Sequence, residues 1–281
     1  MTVNGHTQLL GIIGYPIEHT YSPQMHNYIS AVYNQNYVYM ALETPTKLLK
    51  EAIDGIKGLN FTGVNVTAPH KLEVMQYLDE IDNAARLYGA VNTVKNDHGK
   101  LYGYNTDADG FYMSLLAEGV DIIGKDLLIL GAGGASRPIC VKFALMGAKS
   151  ITVLNRTQEN ADKLAAFIEQ NCAYNIHTKR EHNRYDVVIN TTSAGMEPDI
   201  NCCPIDDFTF FDSNTAAADM IYNPAETVFL KRAVQNSASH AINGLGMLIY
   251  QGLVAYEIFT GVKVDPLIYN DIAKDVFGIK V

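Results

Sequence analysis

Short apolar runs alternate with amphipathic stretches through the first hundred residues of the chain. β-Branched and aromatic residues in these runs predict strands over 8–14, 36–42 and 61–67 and near the segments VNTVKN and KLYGYN. Apolar positions at helical spacing predict helices over 22–34, after Pro45 and over about 69–88. This alternating order predicts a mostly parallel sheet with covering helices.

A second unit begins with the segment 126–157. It reads as strand, glycine-rich turn, helix and strand, which is the first half of a doubly wound nucleotide-binding fold. The pattern continues through a helix over 158–170 and strands over 185–190 and 216–222. The segment 244–261 has an apolar face at helical spacing but no partner in this second pattern, so we expect it to close back onto the first unit.

The composition suits a folded protein of two domains. The chain has 281 residues, of which 48% are hydrophobic and 18% charged, and it can bury a large core. Its 21 Lys and Arg residues against 30 Asp and Glu residues give a net charge of -9. Because nucleic acids bind basic surfaces, this balance argues against a nucleic-acid partner, while a small anionic substrate in a local pocket stays compatible with it.

Membrane, secreted and metal-binding classes are disfavoured as well. No apolar run approaches the roughly 20 residues that span a bilayer, and residues 1–10 lack the basic and apolar regions of a signal peptide. The four cysteines have no C-x-x-C spacing, and the sequence has no HExxH motif and no His and Cys cluster at zinc spacing. We therefore expect a cytoplasmic protein with free thiols and no metal.

The turn of the second unit predicts a dinucleotide site. Its residues are Gly131, Ala132, Gly133, Gly134 and Ala135. A sharp turn at Gly131 and a close approach to a pyrophosphate at Gly133 both require residues without a Cβ, and the following helix supplies N–H donors. Ser136 replaces the third glycine of the usual fingerprint, so a glycine-rich turn without a ligand is the alternative. Since strand, turn, helix and second strand follow in order, we favour the cofactor site.

The end of the second strand indicates which cofactor binds. It reads Asn155-Arg156-Thr157, without the acidic residue that usually bonds the ribose 2′-hydroxyl of NAD. A guanidinium matches a 2′-phosphate, so Arg156 favours NADP. Glu159 and Asp162 in the next helix keep NAD as an alternative, and a solvated loop charge is the other interpretation of Arg156.

Lys71 stands where the strand over 61–67 passes into a helix predicted to start at Pro69. A cation in a first helical turn opposes the helix dipole, which would favour the neutral amine. A neutral amine exchanges protons with an alcohol or a carbonyl when a carboxylate orients it. From this pattern alone, a reactive group and a surface charge are equal alternatives for Lys71.

Three polar clusters are candidates to converge on Lys71 at the carboxyl edge of the sheet. They are the segments 89–93 and 103–107 and the hydroxyls of 20–22. Each has a structural alternative, because Asp107 suits a helix N-cap, Asn92 a turn, and Ser22 an N-cap before Pro23.

Nine motifs, in order, resemble the shikimate dehydrogenase family, whose members reduce 3-dehydroshikimate to shikimate with NADPH. They are GYPIEHTYSPQMHN, GVNVTAPHK, GAVNT, GYNTDADG, GAGGAS, NRT, NTTSAGM, DMIYNP and GLGMLIYQ. The resemblance implies an α/β fold with a mostly parallel substrate-binding and catalytic domain over 1–108 plus 244–281. It places a Rossmann-type, doubly wound NADP-binding domain over 109–243. It also implies an oxidoreductase of aromatic amino acid biosynthesis, active as a monomer or homodimer, in which the domains close during turnover.

Carried over residue by residue, the resemblance makes Lys71 the catalytic acid/base and Asp107 its paired carboxylate. The residues expected to contact the substrate are Thr20, Ser22, Asn65, Thr67, Asn92, Asp107, Tyr222 and Gln251. The residues expected to contact the cofactor are Gly131, Ala132, Gly133, Gly134, Ala135, Asn155, Arg156, Thr157, Thr192, Met220 and Gly244.

Two positions depart from the family pattern. The family usually holds the substrate carboxylate with two serines in an HSxS motif, whereas this chain has Thr20 before Ser22, and the extra methyl reshapes the pocket. NADP-specific members often carry a second basic residue where this chain has Asn160, which predicts weaker discrimination against NAD. A quinate/shikimate dehydrogenase with NAD or relaxed cofactor use is therefore the main alternative. A non-catalytic sensor of shikimate-like metabolites is a further one, disfavoured by the presence of both Lys71 and Asp107.

Overall fold

A computed structural model describes residues 3–279 and separates into two compact units. The first unit runs to Asp107 and resumes at Ile249, and the second spans Ala108–Leu248. The division expected from the sequence differs from this one at residue 108 and at residues 244–248. The expected first domain also includes residues 1–2 and 280–281, which lie outside the described residues.

Strands alternate with helices along both units. The strands are β1 (Gln8–Gly14), β2 (Tyr37–Glu43), β3 (Gly63–Val66), β4 (Glu80–Ile81), β5 (Thr93–Asp97), β6 (Lys100–Tyr104), β7 (Asp126–Leu130), β8 (Ser150–Leu154), β9 (Val187–Asn190), β10 (Ala216–Asp219) and β11 (His240–Ile242). The helices are α1 (Ser22–Val32), α2 (Leu49–Gly58), α3 (Asn83–Tyr88), α4 (Asp107–Ala117), α5 (Ser136–Met146), α6 (Gln158–Cys172), α7 (Val228–Gln235), α8 (Leu245–Thr260) and α9 (Ile268–Asp275). Short 3₁₀ helices cover Thr46–Leu48 and Glu73–Tyr77. The α/β class expected from the sequence is confirmed.

The first unit contains a six-stranded sheet in the order β2-β1-β3-β5-β6-β4. β1 pairs in parallel with β2 and β3, and β4 pairs in parallel with β6. β5 runs antiparallel to β3 and β6, which makes the sheet mostly but not wholly parallel. Its apolar core includes Ile13, Leu49, Val64 and Leu101, all at most 1% exposed. The carboxyl end of β3 therefore lies beside the amino end of β5, and polar residues from both strands meet there.

The second unit contains a wholly parallel five-stranded sheet in the order β11-β10-β9-β7-β8. After β8 the chain crosses to the other side of β7, so the topological switch point lies between β7 and β9. Ligands of doubly wound sheets bind outside the carboxyl ends of the strands at such a point. Here, the glycine-rich turn follows β7 and Thr191 and Thr192 follow β9.

The prediction that residues 69–88 are helical is wrong for the first residues of that range. Pro69 and Lys71 lie in a turn, and the chain becomes helical only in the 3₁₀ helix Glu73–Tyr77 and in α3. The carbonyl oxygen of Lys71 accepts a hydrogen bond from the N–H of Val91 at 2.8 Å, which is a tertiary contact and not a helical one. Lys71 therefore has no place in a first helical turn, and the dipole argument for a neutral amine does not apply.

Within residues 3–279, no helix is long and apolar enough to cross a membrane. The same described residues contain no group of three or more His, Cys, Asp or Glu side chains placed to hold a metal ion. All four cysteines are free thiols, and burial raises the pKa of Cys140 to about 12.

Candidate active site

Lys71 and Asp107 form an ion pair in the first unit. The Nζ of Lys71 donates to Oδ2 of Asp107 at 2.7 Å. The side chains are 33% and 19% exposed, so the pair is neither sealed in the core nor fully solvated. Such a pair adds little to stability because solvent screens it, yet a small reactant can reach it. The arrangement suits an amine that is oriented by a carboxylate.

Asn92 holds the second oxygen of the same carboxylate. Its Nδ2 donates to Oδ1 of Asp107 at 2.9 Å, and its Oδ1 accepts the backbone N–H of Thr106 at 2.9 Å. The residue is only 3% exposed, although it lies in a bend directly before β5. Asp107 is thus bound on one oxygen by an amine and on the other by an amide, which fixes the orientation of the carboxyl plane.

Asn65 and Tyr39 extend this cluster across the sheet. Asn65 is buried in β3 and donates through Nδ2 to the carbonyl oxygen of Asn92 at 3.1 Å. The hydroxyl of Tyr39 donates to Oδ1 of Asn65 at 2.8 Å. Burial raises the pKa of Tyr39 well above its ordinary value, while a hydrogen bond with Ser22 acts in the opposite direction. Tyr39 is therefore a protonated donor at neutral pH.

The two hydroxyls expected to hold a carboxylate contact each other at the start of α1. Oγ1 of Thr20 lies 3.2 Å from Oγ of Ser22 and also accepts the backbone N–H of Ser22 at 3.2 Å. Helix α1 has Tyr21 as its N-cap, with no side-chain capping bond. The alternative in which Ser22 caps the helix is therefore wrong.

The remaining expected substrate residues occupy different elements. Gln251 lies on α8, where its Oε1 accepts from the hydroxyl of Thr106 at 3.4 Å. Thr67 is half-buried directly after β3, and its backbone N–H donates to the carbonyl oxygen of Ile13 at 3.0 Å. Tyr222 belongs to the second unit, on the loop after β10, and is 37% exposed. Gln251 therefore joins the cluster around Asn92 through Thr106.

The expected cofactor loop has the backbone geometry that its glycines suggest. Gly131 has a φ of +109°, and a Cβ there would crowd Thr191 and Thr192 at 2.8 Å. A Cβ at Gly133 or Gly134 would meet nothing within 4 Å, because both residues face open space. The loop therefore needs glycine at its first position for conformation, and it leaves an open approach to its backbone at the other two.

Ser136 explains how the loop does without a third glycine. Its Oγ accepts the N–H of Gly133 at 3.1 Å and lies 2.6 Å from Oγ1 of Thr191. Oγ1 of Thr191 in turn donates to the carbonyl oxygen of Leu130 at 2.8 Å. The serine thus ties the turn after β7 to the end of β9.

Asn155 and Arg156 follow β8 beside this loop. Oδ1 of Asn155 accepts the N–H of Ala132 at 3.1 Å, and its Nδ2 donates to the carbonyl oxygen of Thr157 at 2.8 Å. The side chain of Arg156 is exposed. The two acids that keep NAD as an alternative are engaged along α6. Glu159 pairs with Lys163 at 2.7 Å, and Asp162 accepts from Gln158 at 2.9 Å.

Asp219 is a buried carboxylate at the end of β10. Oδ1 of Asp219 accepts from Nδ2 of Asn190 and from the N–H of Ile221, both at 3.0 Å, and Oδ2 accepts from the hydroxyl of Thr227 at 2.7 Å. Burial raises the pKa of Asp219 above its ordinary value, and these hydrogen bonds oppose the shift.

The residues expected to contact the cofactor at this edge follow three different strands, Thr192 after β9, Met220 after β10 and Gly244 after β11. The hydroxyl of Thr192 donates to Oδ1 of Asn190 at 2.7 Å. A Cβ on Gly244 would overlap the carbonyl group of Met220, so that position also requires glycine. Asp219 thus anchors the loop that carries Met220 and Tyr222.

The chemistry of these groups fits a dinucleotide with a 2′-phosphate. The open backbone at Gly133 and Gly134 stands at the amino end of α5, where N–H groups and the helix dipole favour a pyrophosphate. The exposed guanidinium of Arg156 is free of the neighbouring acids Glu159 and Asp162, which are engaged along their own helix.

Tyr39 lies outside the candidate segments of the sequence, whereas Thr93 and Thr106 belong to the segments 89–93 and 103–107, which are expected to converge on Lys71. Tyr39, Thr93 and Thr106 all supply hydroxyls to the cluster, and all are at most 2% exposed. His26 stacks on Tyr39 with ring centroids 4.2 Å apart. A polar group at an inward-facing strand position is the signal that would have drawn attention to Tyr39.

Three family models match the chain. Residues 12–94 match the shikimate dehydrogenase substrate binding domain, residues 115–201 the shikimate / quinate 5-dehydrogenase domain, and residues 244–266 the shikimate 5′-dehydrogenase C-terminal domain. A relative from Methanococcus aeolicus, shikimate dehydrogenase (NADP+), is 42% identical over 283 residues, which cover 98% of this chain and 99% of the relative.

Solved structures of similar proteins have the same fold. A crystal structure of shikimate dehydrogenase in complex with NADP+ has a TM-score of 0.89 at 42% identity, and the match covers 98% of this chain and 97% of that one. Shikimate 5-dehydrogenase from Listeria monocytogenes, in complex with shikimate and NAD, has a TM-score of 0.90 at 36% identity, over 97% and 98% of the two chains. Matches of this identity across almost the whole length, together with the nine ordered motifs, show that the chain belongs to the shikimate dehydrogenase family.

Proposed function

We propose that this protein is an NADP-dependent shikimate dehydrogenase that reversibly reduces 3-dehydroshikimate to shikimate in aromatic amino acid biosynthesis. The observation that carries the proposal is the 2.7 Å pair of Lys71 and Asp107, with Asn92 on the free carboxylate oxygen. The name of the Methanococcus aeolicus relative supports the same activity and cofactor. The proposal includes a cytoplasmic location and a monomeric or homodimeric state.

In this mechanism, Lys71 is the acid/base. When bound, NADPH supplies the hydride that the substrate carbonyl carbon accepts. The ammonium of Lys71 donates a proton to the carbonyl oxygen, which becomes the hydroxyl of shikimate. In the oxidation direction, the neutral amine takes that proton back. Asp107 orients the amine toward the substrate and stabilises its protonated form.

The other first-unit residues bind and orient the substrate. The hydroxyls of Thr20 and Ser22 donate to the substrate carboxylate, and their mutual contact at 3.2 Å suits a pair that shares one ligand group. Asn65, Thr67, Asn92 and Gln251 bind the substrate hydroxyls, and the same role for Tyr222 stays a prediction from the sequence. Buried amides suit this role because each offers a donor and an acceptor in a fixed direction.

The cofactor is proposed to bind along the carboxyl edge of the second sheet. Gly131 to Ala135 and the amino end of α5 hold the pyrophosphate, and Arg156 holds the 2′-phosphate. Asn155 and Thr157 flank that arginine, and Thr192, Met220 and Gly244 would supply further contacts with the cofactor. A single guanidinium makes NADP preferred over NAD without excluding NAD.

A second candidate is a quinate/shikimate dehydrogenase with relaxed cofactor use. It is favoured by the methyl group of Thr20 and by Asn160 at the place of a second basic residue. Initial rates with shikimate and with quinate, each with NADP and with NAD, separate the two candidates through the absorbance of the reduced nicotinamide. The highest kcat/KM with shikimate and NADP supports the first proposal. Rates favouring quinate or NAD support the second, and binding of shikimate without any reduction of cofactor supports a sensor.

A further inference from the structure

The hydroxyl of Thr93 lies between the buried side-chain amides of Asn65 and Asn92 and bonds both of them. Thr93 lies on β5 directly opposite Asn65 of β3, and it is fully buried. Nδ2 of Asn65 donates to Oγ1 of Thr93 at 3.1 Å, and that hydroxyl donates to Oδ1 of Asn92 at 2.8 Å. Thr93 thus accepts from one amide and donates to the other.

Two backbone groups fix the direction of every bond around Thr93. The carbonyl oxygen of Asn92 can only accept, so the atom of Asn65 that faces it at 3.1 Å is Nδ2. The N–H of Thr106 can only donate, so the atom of Asn92 that faces it at 2.9 Å is Oδ1. The single proton of the Thr93 hydroxyl then has one role, which is to bond Oδ1 of Asn92.

The same directions determine what Asp107 receives. With Oδ1 of Asn92 turned toward Thr93 and Thr106, its Nδ2 faces Oδ1 of Asp107 at 2.9 Å. The donors therefore run from the Tyr39 hydroxyl through Asn65, Thr93 and Asn92 to Asp107. An amide turned the other way would set its oxygen against the carboxylate, and two acceptors repel each other.

We propose that Thr93 is a positioning residue whose hydroxyl locks the amides of Asn65 and Asn92, so that Asn92 presents its N–H to Asp107. Asp107 in turn orients Lys71, so the inference rests on the function proposed above. An ordinary core threonine is the competing explanation. In that case, a valine of the same shape would serve equally well in the strand.

The loss of this hydroxyl has a definite consequence in a buried site. The amide of Asn65 loses an acceptor, and the amide of Asn92 loses one of its donors. The backbone bonds to the Asn92 carbonyl and from the Thr106 N–H remain, so each amide keeps its direction but is held less firmly, and so is the carboxylate that orients the amine. The loss lowers kcat through the amine that Asp107 orients, and it also raises KM because Asn65 and Asn92 are proposed to bind the substrate hydroxyls.

The chain offers a matched control in Thr152. It lies on β8 of the second unit and is fully buried like Thr93, but in residues 3–279 its hydroxyl has no hydrogen-bond partner. Thr152→Val therefore makes the same chemical change in a buried strand without breaking a hydrogen bond. We expect it to leave kcat and KM for shikimate unchanged.

The test compares Thr93→Val, Thr93→Ser and Thr152→Val in the purified full-length enzyme with shikimate and NADP. Thr93→Val should lower kcat about tenfold or more and also raise KM for shikimate. Thr93→Ser, which keeps the hydroxyl, should restore most of the lost kcat. A kcat of Thr93→Val within about twofold of wild type would overturn the inference.

A double-mutant cycle with Asn92→Ala shows whether Thr93 acts through Asn92. In the Asn92→Ala background, Thr93→Val should cause little further loss of kcat, because the amide that it positions is gone. If Thr93→Val lowers kcat by the same factor in Asn92→Ala as in wild type, Thr93 acts independently of Asn92, and the inference is overturned. If Thr93→Val does not fold, as judged by circular dichroism, Thr93→Ala enters the same cycle. Wild-type enzyme inactive on shikimate would instead refute the proposed function, which keeps the two failures distinct.

Discussion

The carbonyl oxygen of Lys71 accepts the backbone N–H of Val91, 2.8 Å away. This bond joins the turn after β3 to the residue directly before Asn92. The backbone of the proposed acid/base is thereby held by the segment that carries the amide facing Asp107. The relative position of the amine, the carboxylate and the amide is set by main-chain contacts of the first unit as well as by their side chains.

Replacement of Lys71 by alanine should lower kcat about a hundredfold or more, with a much smaller change in KM, because general acid/base catalysis contributes at that scale. Steady-state kinetics with shikimate and NADP measure both constants. Lys50→Ala is the control, since Lys50 forms an exposed ion pair with Asp54 and should leave both constants unchanged. Near-normal turnover in Lys71→Ala would remove this residue from the acid/base role.

Replacement of Arg156 by glutamine should raise KM for NADP about tenfold and change KM for NAD much less, because the guanidinium is proposed to bond the 2′-phosphate. The ratio of kcat/KM for the two cofactors reports the effect. Arg184→Gln removes another exposed arginine of the second unit, one paired with Asp212, and should leave the ratio unchanged. An equal loss with both cofactors would assign Arg156 a role unrelated to the 2′-phosphate.

Replacement of Thr20 by valine should raise KM for shikimate about fivefold to tenfold, because one donor to the substrate carboxylate is lost while the shape is kept. Thr20→Ser, which retains the hydroxyl, should keep KM near the wild-type value. Its rate with quinate relative to shikimate tests whether the methyl group shapes the pocket. The carboxylate role of Thr20 fails if the valine and serine variants have the same KM.

His26 should make the protein less stable as the pH falls below 6.5, the ordinary pKa of a histidine side chain. Burial lowers the pKa of His26 from 6.5 to about 3, and neither ring nitrogen has a hydrogen-bond partner in the described part of the chain. Below pH 6.5 the imidazole of His26 is protonated in the unfolded chain but stays neutral in the folded protein. The free energy of unfolding therefore falls by about 1.4 kcal/mol per pH unit between roughly pH 6 and pH 3 from this group.

Urea unfolding at pH 7 and pH 5 checks this prediction. His26→Phe keeps an aromatic ring beneath Tyr39, and its loss of stability between the two pH values should be smaller than that of wild type by about 2 kcal/mol. His98→Asn is the control, because the side chain of His98 is 99% exposed. An identical pH dependence in wild type and His26→Phe would contradict the prediction.

Much of the fold follows from patterns that the sequence shows directly. The alternation of short apolar runs with amphipathic stretches predicts the strands and helices that build both α/β units, since neither element can bury its apolar face alone. Gly131 predicts a turn that only glycine adopts readily, and its φ of +109° confirms that prediction. The assigned roles of Lys71, Asp107 and the binding residues remain predictions for the experiments above.

Other features depend on tertiary contacts that no local pattern encodes. Pro69 suits a first helical position, yet the carbonyl oxygen of Lys71 accepts the N–H of Val91 in place of a helical N–H. Tyr39 looks like an ordinary strand residue, and its hydroxyl contacts Asn65 only because β2 and β3 belong to one sheet. The short elements α7, β11 and α9 contain too few periodic positions for a sequence pattern to distinguish them from loop.

The bond between Ser136 and Thr191 has a consequence for the energetics of cofactor binding. A loop rich in glycine is ordinarily flexible, and ordering it around a phosphate costs conformational entropy. Here, the serine hydroxyl already fastens the loop to the end of β9, with 3.1 Å to Gly133 and 2.6 Å to Thr191. The loop therefore loses this conformational entropy during folding and not during binding, which makes the free energy of cofactor binding more favourable.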